Sequence, residues 1–306
     1  MQDIGALAND NARKQMSRKM VLMVNMLNGT TFGGQREVTC YSCHRGDIRP
    51  KITPSLVEQY SAPAEDDPNE VEASESPAAN APSANQIFDR YIQALGGAQK
   101  LASLKSFVAH GTYEGYDTVH HPDPVDVYAQ YPNHRTTVVH LPDGENVRVY
   151  DGRNGWITSG GTMMPIPVVT LTAAELAGAR LDATLAFPGQ IKDLLKGWRT
   201  GFPAVMIGNH EVEVVQGDND DNTPVRFYFD KQSGLLLRQV RFTNTVVGFN
   251  PVQIDYSDYR DVAGVKIPFK STTTWTDGQS ILQLQDVRAN VSVDQDKFAK
   301  PGKPAR

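Results

Sequence analysis

Apolar residues near the amino terminus recur at helical spacing. Positions i, i+4, i+7 and i+11 of one stripe are occupied by Met16, Met20, Met23 and Leu27. Asp10 is a residue type that caps helices, and Asn28-Gly29 is a typical stop signal. The pattern therefore predicts a helix from about Asp10 to Asn28.

From residue 86 onwards the pattern predicts a second helix and then a sheet. One helical face of residues 86–96 carries Ile87, Tyr91, Ile92 and Leu95. Short alternating runs follow, separated by turn signals every 8–12 residues, which is typical of antiparallel strands. These runs are residues 106–113, 125–131, 136–141, 147–150, 226–229, 235–242, 252–259, 265–275 and 280–293. Helical character returns within residues 171–196, so the predicted fold class is α+β.

The length of the chain is sufficient for two domains. The chain has 306 residues, 40% of them hydrophobic, and no run of 18 apolar residues that would predict a transmembrane helix. The net charge is −5, yet residues 1–51 hold eight basic against four acidic side chains. This local excess suits docking to an acidic redox partner, although a solvated helix face explains it equally well. No nucleic-acid-binding motif is present.

An acidic segment separates the two domains. Residues 61–84 contain six Asp or Glu, several Pro and no Lys or Arg, so they are predicted to be a disordered linker. The predicted organisation is a module at residues 1–60, this linker, an antiparallel β domain with helices at residues 85–300 and a tail at residues 301–306.

The two cysteines of the chain lie in a single motif, Cys40-Tyr41-Ser42-Cys43-His44. Cys-x-x-Cys-His is the attachment signal of a c-type haem, and chance produces this spacing on the order of once in 10,000 such chains. The two thiols form thioethers with the haem vinyl groups, and the adjacent histidine is the proximal iron ligand.

Three other interpretations of the cysteine pair stay open. A thioredoxin-like dithiol needs a βαβ context, whereas a helical, Met-rich stretch precedes Cys40. A zinc site needs four ligands, and no second ligand pair is present. A disulfide would close only a very small loop and contribute little stability.

Residues 10–50 resemble one haem unit of the photosynthetic reaction-centre cytochrome c subunit family. The resemblance is carried by the helix with Met20, by Leu27-Asn28 at its end and by Val38-Thr39-Cys40-Tyr41-Ser42-Cys43-His44-Arg45-Gly46. It implies one covalently bound haem c per chain, held by Cys40 and Cys43, with His44 as proximal ligand. By position it also implies Met20 as the distal iron ligand, with Met23 as the runner-up and Met16 third.

The chain departs from that family in having one haem motif and a large second domain. The arrangement resembles non-photosynthetic bacterial homologues, in which a signal peptide and an earlier haem motif often precede the helix. Residues 1–10 carry no export signal, although covalent haem attachment takes place outside the cytoplasm. We therefore expect a truncated form of a periplasmic or otherwise extracytoplasmic protein, with membrane association open.

The second domain resembles the periplasmic lipoprotein-carrier and lipoprotein-sorting group. The strings that carry the resemblance are residues 150–156, 228–238, 256–261 and 264–268. The resemblance implies an incomplete antiparallel barrel that wraps helices around an apolar cavity. It also implies a lipid or a lipoprotein as the partner of this domain.

The remaining polar residues predict no catalytic centre. His120 and His121 are adjacent and would point to opposite faces of a strand, and His110, His134, His140 and His210 show no metal-ligand spacing. No hydrolase, metalloprotease or nucleotide-binding motif is present. The chain is therefore not expected to be an enzyme.

Two functions follow from the sequence. The first is extracytoplasmic electron transfer through the haem, with redox proteins as partners. The alternative is a lipid- or lipoprotein-binding periplasmic module whose haem segment is vestigial.

Overall fold

The computed structural model describes residues 10–45, 49–50, 81–115, 118, 121–158, 168–203, 205–245, 248–276 and 278–302. The chain divides into two compact units, one of residues 1–66 with 244–250 and one of residues 67–243 with 251–306. Most of the predicted linker, residues 61–80, lies outside the described residues, so the predicted domain boundaries stay a prediction.

The first unit contains two helices, α1 (Ala12–Thr31) and α2 (Cys40–His44). The side chain of Asn11, rather than Asp10, caps α1 by accepting the Lys14 N–H at 3.0 Å. Asp10 instead accepts from the Arg18 guanidinium at 2.7 Å. The helix also continues past the stop signal predicted at Asn28.

Asn28 is buried because its side chain joins the end of α1 to the segment before α2. Its amide donates to the Val38 carbonyl at 2.7 Å and accepts the Val38 N–H at 2.9 Å. The hydroxyl of Ser42 accepts the Thr39 N–H at 3.0 Å at the start of α2. The helix ends at His44, and the next residue, Arg45, has the left-handed backbone (φ 48°) that is typical of a helix terminus.

The second unit is built from a large antiparallel sheet and a few helices. Its α-helices are α3 (Ala84–Ala94), α4 (Ala98–Ser103) and α5 (Ala173–Leu185), and 3₁₀ turns cover Pro188–Asp193 and Gln295–Phe298. The strands are β1 (Ser106–Glu114), β2 (Asp123–Gln130), β3 (His134–Leu141), β4 (Gly144–Asp151), β5 (Gly155–Thr158), β6 (Val168–Thr170), β7 (Lys196–Arg199), β8 (Val205–Ile207), β9 (His210–Asp218), β10 (Pro224–Asp230), β11 (Leu236–Thr245), β12 (Gly248–Val262), β13 (Val265–Trp275) and β14 (Gly278–Ala289).

The strand order among the described residues is β6-β5-β4-β3-β2-β1-β14-β13-β12-β11-β10-β9-β7, with β8 paired to β9. Strands β1 and β14, the first and the last along the chain, are neighbours in the sheet. They pair antiparallel, from Phe107 opposite Ala289 to Glu114 opposite Ile281. No pairing joins the two ends, β6 and β7, within the described residues, so the sheet is an open one. The predicted antiparallel sheet with a few helices is thereby confirmed.

Helix α3 packs its apolar face into the core of the second unit. Its start is fixed by Ser83 and Gln86, whose side chains each bond the other's backbone N–H. Phe88 is fully buried and makes an edge contact with Trp198, the ring centroids lying 4.8 Å apart. Burial of a side chain of this size contributes about 2 kcal/mol to folding. The face predicted for this helix is confirmed by the burial of Ile87.

No helix in the described part of the chain is long and apolar enough to cross a membrane.

Candidate functional site

A cavity of about 750 Å³ lies in the second unit, bounded by the sheet and by helices α3 and α5. Strands from both halves of the sheet contribute to its wall. Six of the apolar side chains that line it are Leu95, Phe107, Val127, Val139, Ile254 and Leu284. These residues are all buried, so the cavity is continuous with the hydrophobic core.

Alternation along the strands decides which side chains reach the cavity. On β3, Arg135, Thr137 and Val139 line it. The intervening Thr136 faces away, and its hydroxyl donates to the Lys297 carbonyl at 2.7 Å. This is the two-residue period of a strand with one face on an enclosed space.

Small residues on α5 leave room between that helix and the sheet. Ala174 and Ala179 line the cavity. A Cβ at Gly178 would lie 2.8 Å from the guanidinium carbon of Arg241, closer than real contacts of this kind. The absence of a side chain at Gly178 therefore lets Arg241 pass close to the helix backbone.

The cavity wall is not entirely apolar, because three arginines and two acidic residues contribute to it. Arg241 donates to Asp182 at 2.8 Å and to the Gly178 carbonyl at 3.3 Å. Arg135 and Arg148 lie deep in the unit, and burial lowers the pKa of both guanidinium groups, with Asp182 partly opposing the effect. Arginine nevertheless stays protonated at any ordinary pH.

Two tyrosines add hydroxyl groups to the same wall. Burial raises the pKa of Tyr91 and of Tyr256 well above the usual value, so both stay neutral. The Tyr256 hydroxyl is 3.4 Å from the side-chain oxygen of Gln239. The cavity thus combines large apolar walls with a polar cluster, an arrangement typical of small-molecule sites.

The residues of the Cys-x-x-Cys-His motif lie together on α2, in the first unit. Cys40 and Cys43 are free thiols, the first half-buried and the second exposed. His44 is half-buried and stands one helical turn after Cys40. The donor set of two thiols and one imidazole therefore fits a c-type haem in residue type, and no disulfide competes for the cysteines.

The predicted distal ligand lies on α1. Met20 is half-buried, whereas the runner-up Met23 is 45% exposed and Met16 is 53% exposed. Their roles as iron ligands or packing residues stay a prediction.

Two histidines that are 30 residues apart in the sequence, His110 and His140, share one carboxylate in the structure. Asp126 accepts from His110 Nδ1 at 2.5 Å and from His140 Nε2 at 3.1 Å. These residues lie opposite or near one another on β1, β2 and β3, a proximity that only strand register reveals. His120 lies outside the described residues, so the paired arrangement considered for His120 and His121 stays untested.

Comparisons with known proteins give likenesses at the level of solved structures. No protein-family model matches the chain, and no curated protein matches it. A LolA-superfamily protein of Nitrosomonas europaea is similar over 72% of this chain and 98% of its own, at 12% identity and a TM-score of 0.48. A DUF1329 family protein of Desulfovibrio piger is similar over 70% of this chain and 96% of its own, at 8% identity and a TM-score of 0.49.

A third similar structure is provisionally described as an outer membrane lipoprotein-sorting protein domain of Vibrio parahaemolyticus. The likeness covers 70% of this chain and 97% of that one, at 10% identity and a TM-score of 0.46.

The description of the whole chain as an electron-transfer cytochrome is wrong on these findings. The described residues contain no group of three or more His, Cys, Asp or Glu side chains able to hold a metal ion. The functional descriptors electron transfer, haem binding, iron and metal binding, c-type cytochrome and photosynthetic cytochrome are therefore withdrawn as descriptions of the whole chain.

The physical reason for this correction is that the motif which predicted electron transfer covers only a small part of the chain. A five-residue motif reports the chemistry available on one helical turn, whereas most of the chain builds the sheet and its cavity. The individual assignments of Cys40, Cys43, His44 and Met20 as haem ligands are a narrower question that these findings leave untested.

Proposed function

We infer that the second unit binds the apolar part of a lipid or of an acylated lipoprotein in its cavity. The observation that carries this proposal is the cavity itself, about 750 Å³ in volume and walled by core residues of the sheet and of two helices. This volume falls within the range of about 300–1,000 Å³ typical of ligand pockets.

The energetics favour a chain-like ligand. Each methylene group moved from water to an apolar wall contributes about 0.8 kcal/mol. Ten such groups would supply about 8 kcal/mol before the cost of ordering, a gross value that corresponds to micromolar affinity. An acyl chain meets this requirement without needing any directional contact.

The proposed ligand, a lipid or a lipoprotein, is the partner that the sequence resemblance of the second domain implies. A lipoprotein presents acyl chains, and a free lipid presents the same chemistry to the cavity. Both are encountered outside the cytoplasm, which is where we place the protein. Redox partner proteins, expected from the motif, have no support in the described structure, and the expectation that the chain is not an enzyme stays a prediction.

A probe titration tests the proposal on the full chain. A fluorescent fatty-acid analogue should bind saturably and be displaced by unlabelled palmitic acid. Ser271 lines the cavity from β13, so Ser271→Trp should weaken probe binding about tenfold or more by filling space.

The matched control is Thr272→Trp on the same strand. Thr272 does not line the cavity and points to the other face of the sheet, so this variant should bind the probe as the unmodified chain does. Absence of saturable binding, or equal weakening by both substitutions, would refute a site in this cavity.

The haem c cofactor is a separate prediction for the first unit. Cys40 and Cys43 would hold the group, His44 would bind the iron on one side and Met20 on the other. Such a group would supply one-electron redox chemistry when bound. A haem stain of the denatured chain, expressed with haem-maturation proteins, reports whether covalent attachment occurs.

A further inference from the structure

Two arginines stand beside one another on the cavity wall. Arg135 on β3 is paired with Tyr150 on β4, and Arg148 on β4 is paired with Thr137 on β3. Arg135 and Arg148 are therefore diagonal neighbours on the same face of the sheet, at a separation that long side chains can span. Both line the cavity.

Neither guanidinium group has a partner among the described residues. Arg241 and Arg238, which are also largely buried, each form an ion pair with an aspartate, at 2.8 Å and 2.6 Å. Arg135 and Arg148 make no side-chain hydrogen bond or ion pair within the part of the chain that the structure describes. Burial lowers the pKa of Arg148, and the positive charges of Arg241 and Arg135 lower it further.

No nearby carboxylate is bound to either arginine, although the charge of Asp182 partly opposes the lowering of both pKa values by burial. Asp182 is already bound to Arg241. Glu175 lines the cavity but is an exposed residue, so water screens its charge. A partly buried cation without a hydrogen-bonded partner is costly to maintain, and such groups are typical of functional sites.

We propose that Arg135 and Arg148 bind the anionic head of an amphipathic ligand whose apolar body fills the cavity. The guanidinium group is planar and carries several donors, which suits the oxygens of a carboxylate or a phosphate. A single-chain lipid with an acidic head is the ligand class that meets both the charge and the apolar walls. This inference rests on the proposed function, since it specifies the ligand of the same cavity.

The decisive comparison is made on the unmodified full chain. Palmitic acid and its methyl ester share one chain but differ in charge, as do lysophosphatidic acid and the neutral monoacylglycerol. Displacement of the fluorescent fatty-acid analogue measures each affinity. At least one acidic lipid should bind about tenfold or more tightly than its neutral partner.

The lipid pair in which the acidic member binds more tightly identifies the chemistry of the headgroup. A preference confined to palmitic acid assigns the site to a carboxylate, and one confined to lysophosphatidic acid assigns it to a phosphate. Equal affinity within both pairs would overturn the inference while leaving apolar binding intact. Failure of all four lipids to bind would instead refute the proposed function.

Substitution of each arginine locates the preference. Arg135→Met and Arg148→Met keep an apolar side chain of similar length, and each should reduce the ratio of acidic to neutral affinity by about tenfold. Arg199→Met is the matched control, because Arg199 lies on the end strand β7, away from the cavity, and is half exposed. The ratio of acidic to neutral affinity in Arg199→Met should equal that of the unmodified chain.

Folding of each variant is checked by its thermal unfolding transition. An unchanged ratio in folded Arg135→Met and Arg148→Met would contradict the assignment of the head to these residues. If either variant fails to fold, the comparison of acidic with neutral lipids on the unmodified chain still decides the question.

Discussion

At the scale of single residues, the cavity arginines fall into two kinds. Arg241 is matched by Asp182 and fixed to the backbone of α5. Arg135 and Arg148 are charged, deeply placed and unmatched within the described residues. Removal of an unmatched buried charge differs from removal of a matched one, because no partner is left behind.

Arg148→Met should therefore raise the free energy of unfolding of the ligand-free full chain, by about 1 kcal/mol. The methionine keeps the apolar contacts of the arginine stem and removes the desolvated charge. Urea denaturation at pH 7 measures the change. Arg199→Met should stay within about 0.5 kcal/mol of the unmodified chain. A large loss of stability in Arg148→Met would show that this charge is compensated without a ligand.

Asp126 illustrates the opposite case, a carboxylate with more than one partner. Burial alone would raise its pKa, but hydrogen bonds from His110 and His140 outweigh burial and lower the pKa below the usual value of 3.8. The folded state thus favours the ionised form. The resulting stability is present above pH 3.8 and is lost as the pH falls through the lowered pKa.

Asp126→Asn should cost about 1 kcal/mol at pH 7, a modest value because Asp126 is partly exposed and solvent screens the charges. The cost should shrink as the pH falls below 3.8, since the Asp126 carboxyl group then becomes protonated and is neutral, like the asparagine side chain. Urea denaturation at a series of pH values measures the difference. Asp286→Asn, at an exposed site, serves as the control. A cost that does not depend on pH would rule out ionisation as its origin.

At the scale of elements, one side chain organises the end of α1 and the approach to α2. Asn28 makes two hydrogen bonds with the backbone of Val38, ten residues further along the chain. The sequence suggested a stop signal at Asn28, but the structure uses this residue as a link between segments. Such a link fixes the position from which Cys40 begins the next helix.

Asn28→Ala should accelerate amide hydrogen exchange at Val38, because the N–H of Val38 loses its acceptor. The local loss is expected to be about 1–3 kcal/mol, the cost of leaving buried polar groups unpaired. Exchange measured residue by residue provides the test. Asn25 is exposed on the same helix, so Asn25→Ala should leave Val38 protected. Unchanged exchange in Asn28→Ala would show that the link does not hold this segment.

The elements that the sequence predicted are those with a clear local period. Helix α3 and strands such as β13 follow their apolar spacing closely. Strand β9 was missed because Val212, Val214 and Val215 are all buried, in two different clusters. A strand buried on both faces loses the alternation that identifies strands in a sequence.

At the scale of the whole molecule, the sequence predicted the kind of site but not the residues that form it. The resemblance of the second domain implied an apolar cavity, yet no local pattern marked its residues. Arg135 and Ser271 belong to strands far apart in sequence, and only the strand order brings them to one cavity. The haem motif was conspicuous for the converse reason, since its five residues are contiguous.

The most direct test of the account is native mass spectrometry of the full chain mixed with palmitic acid. The account predicts a complex of one protein with one lipid, retained in Thr272→Trp and greatly reduced in Ser271→Trp. A complex equally abundant in both variants, or none in the unmodified chain, would contradict binding in the cavity of the second unit.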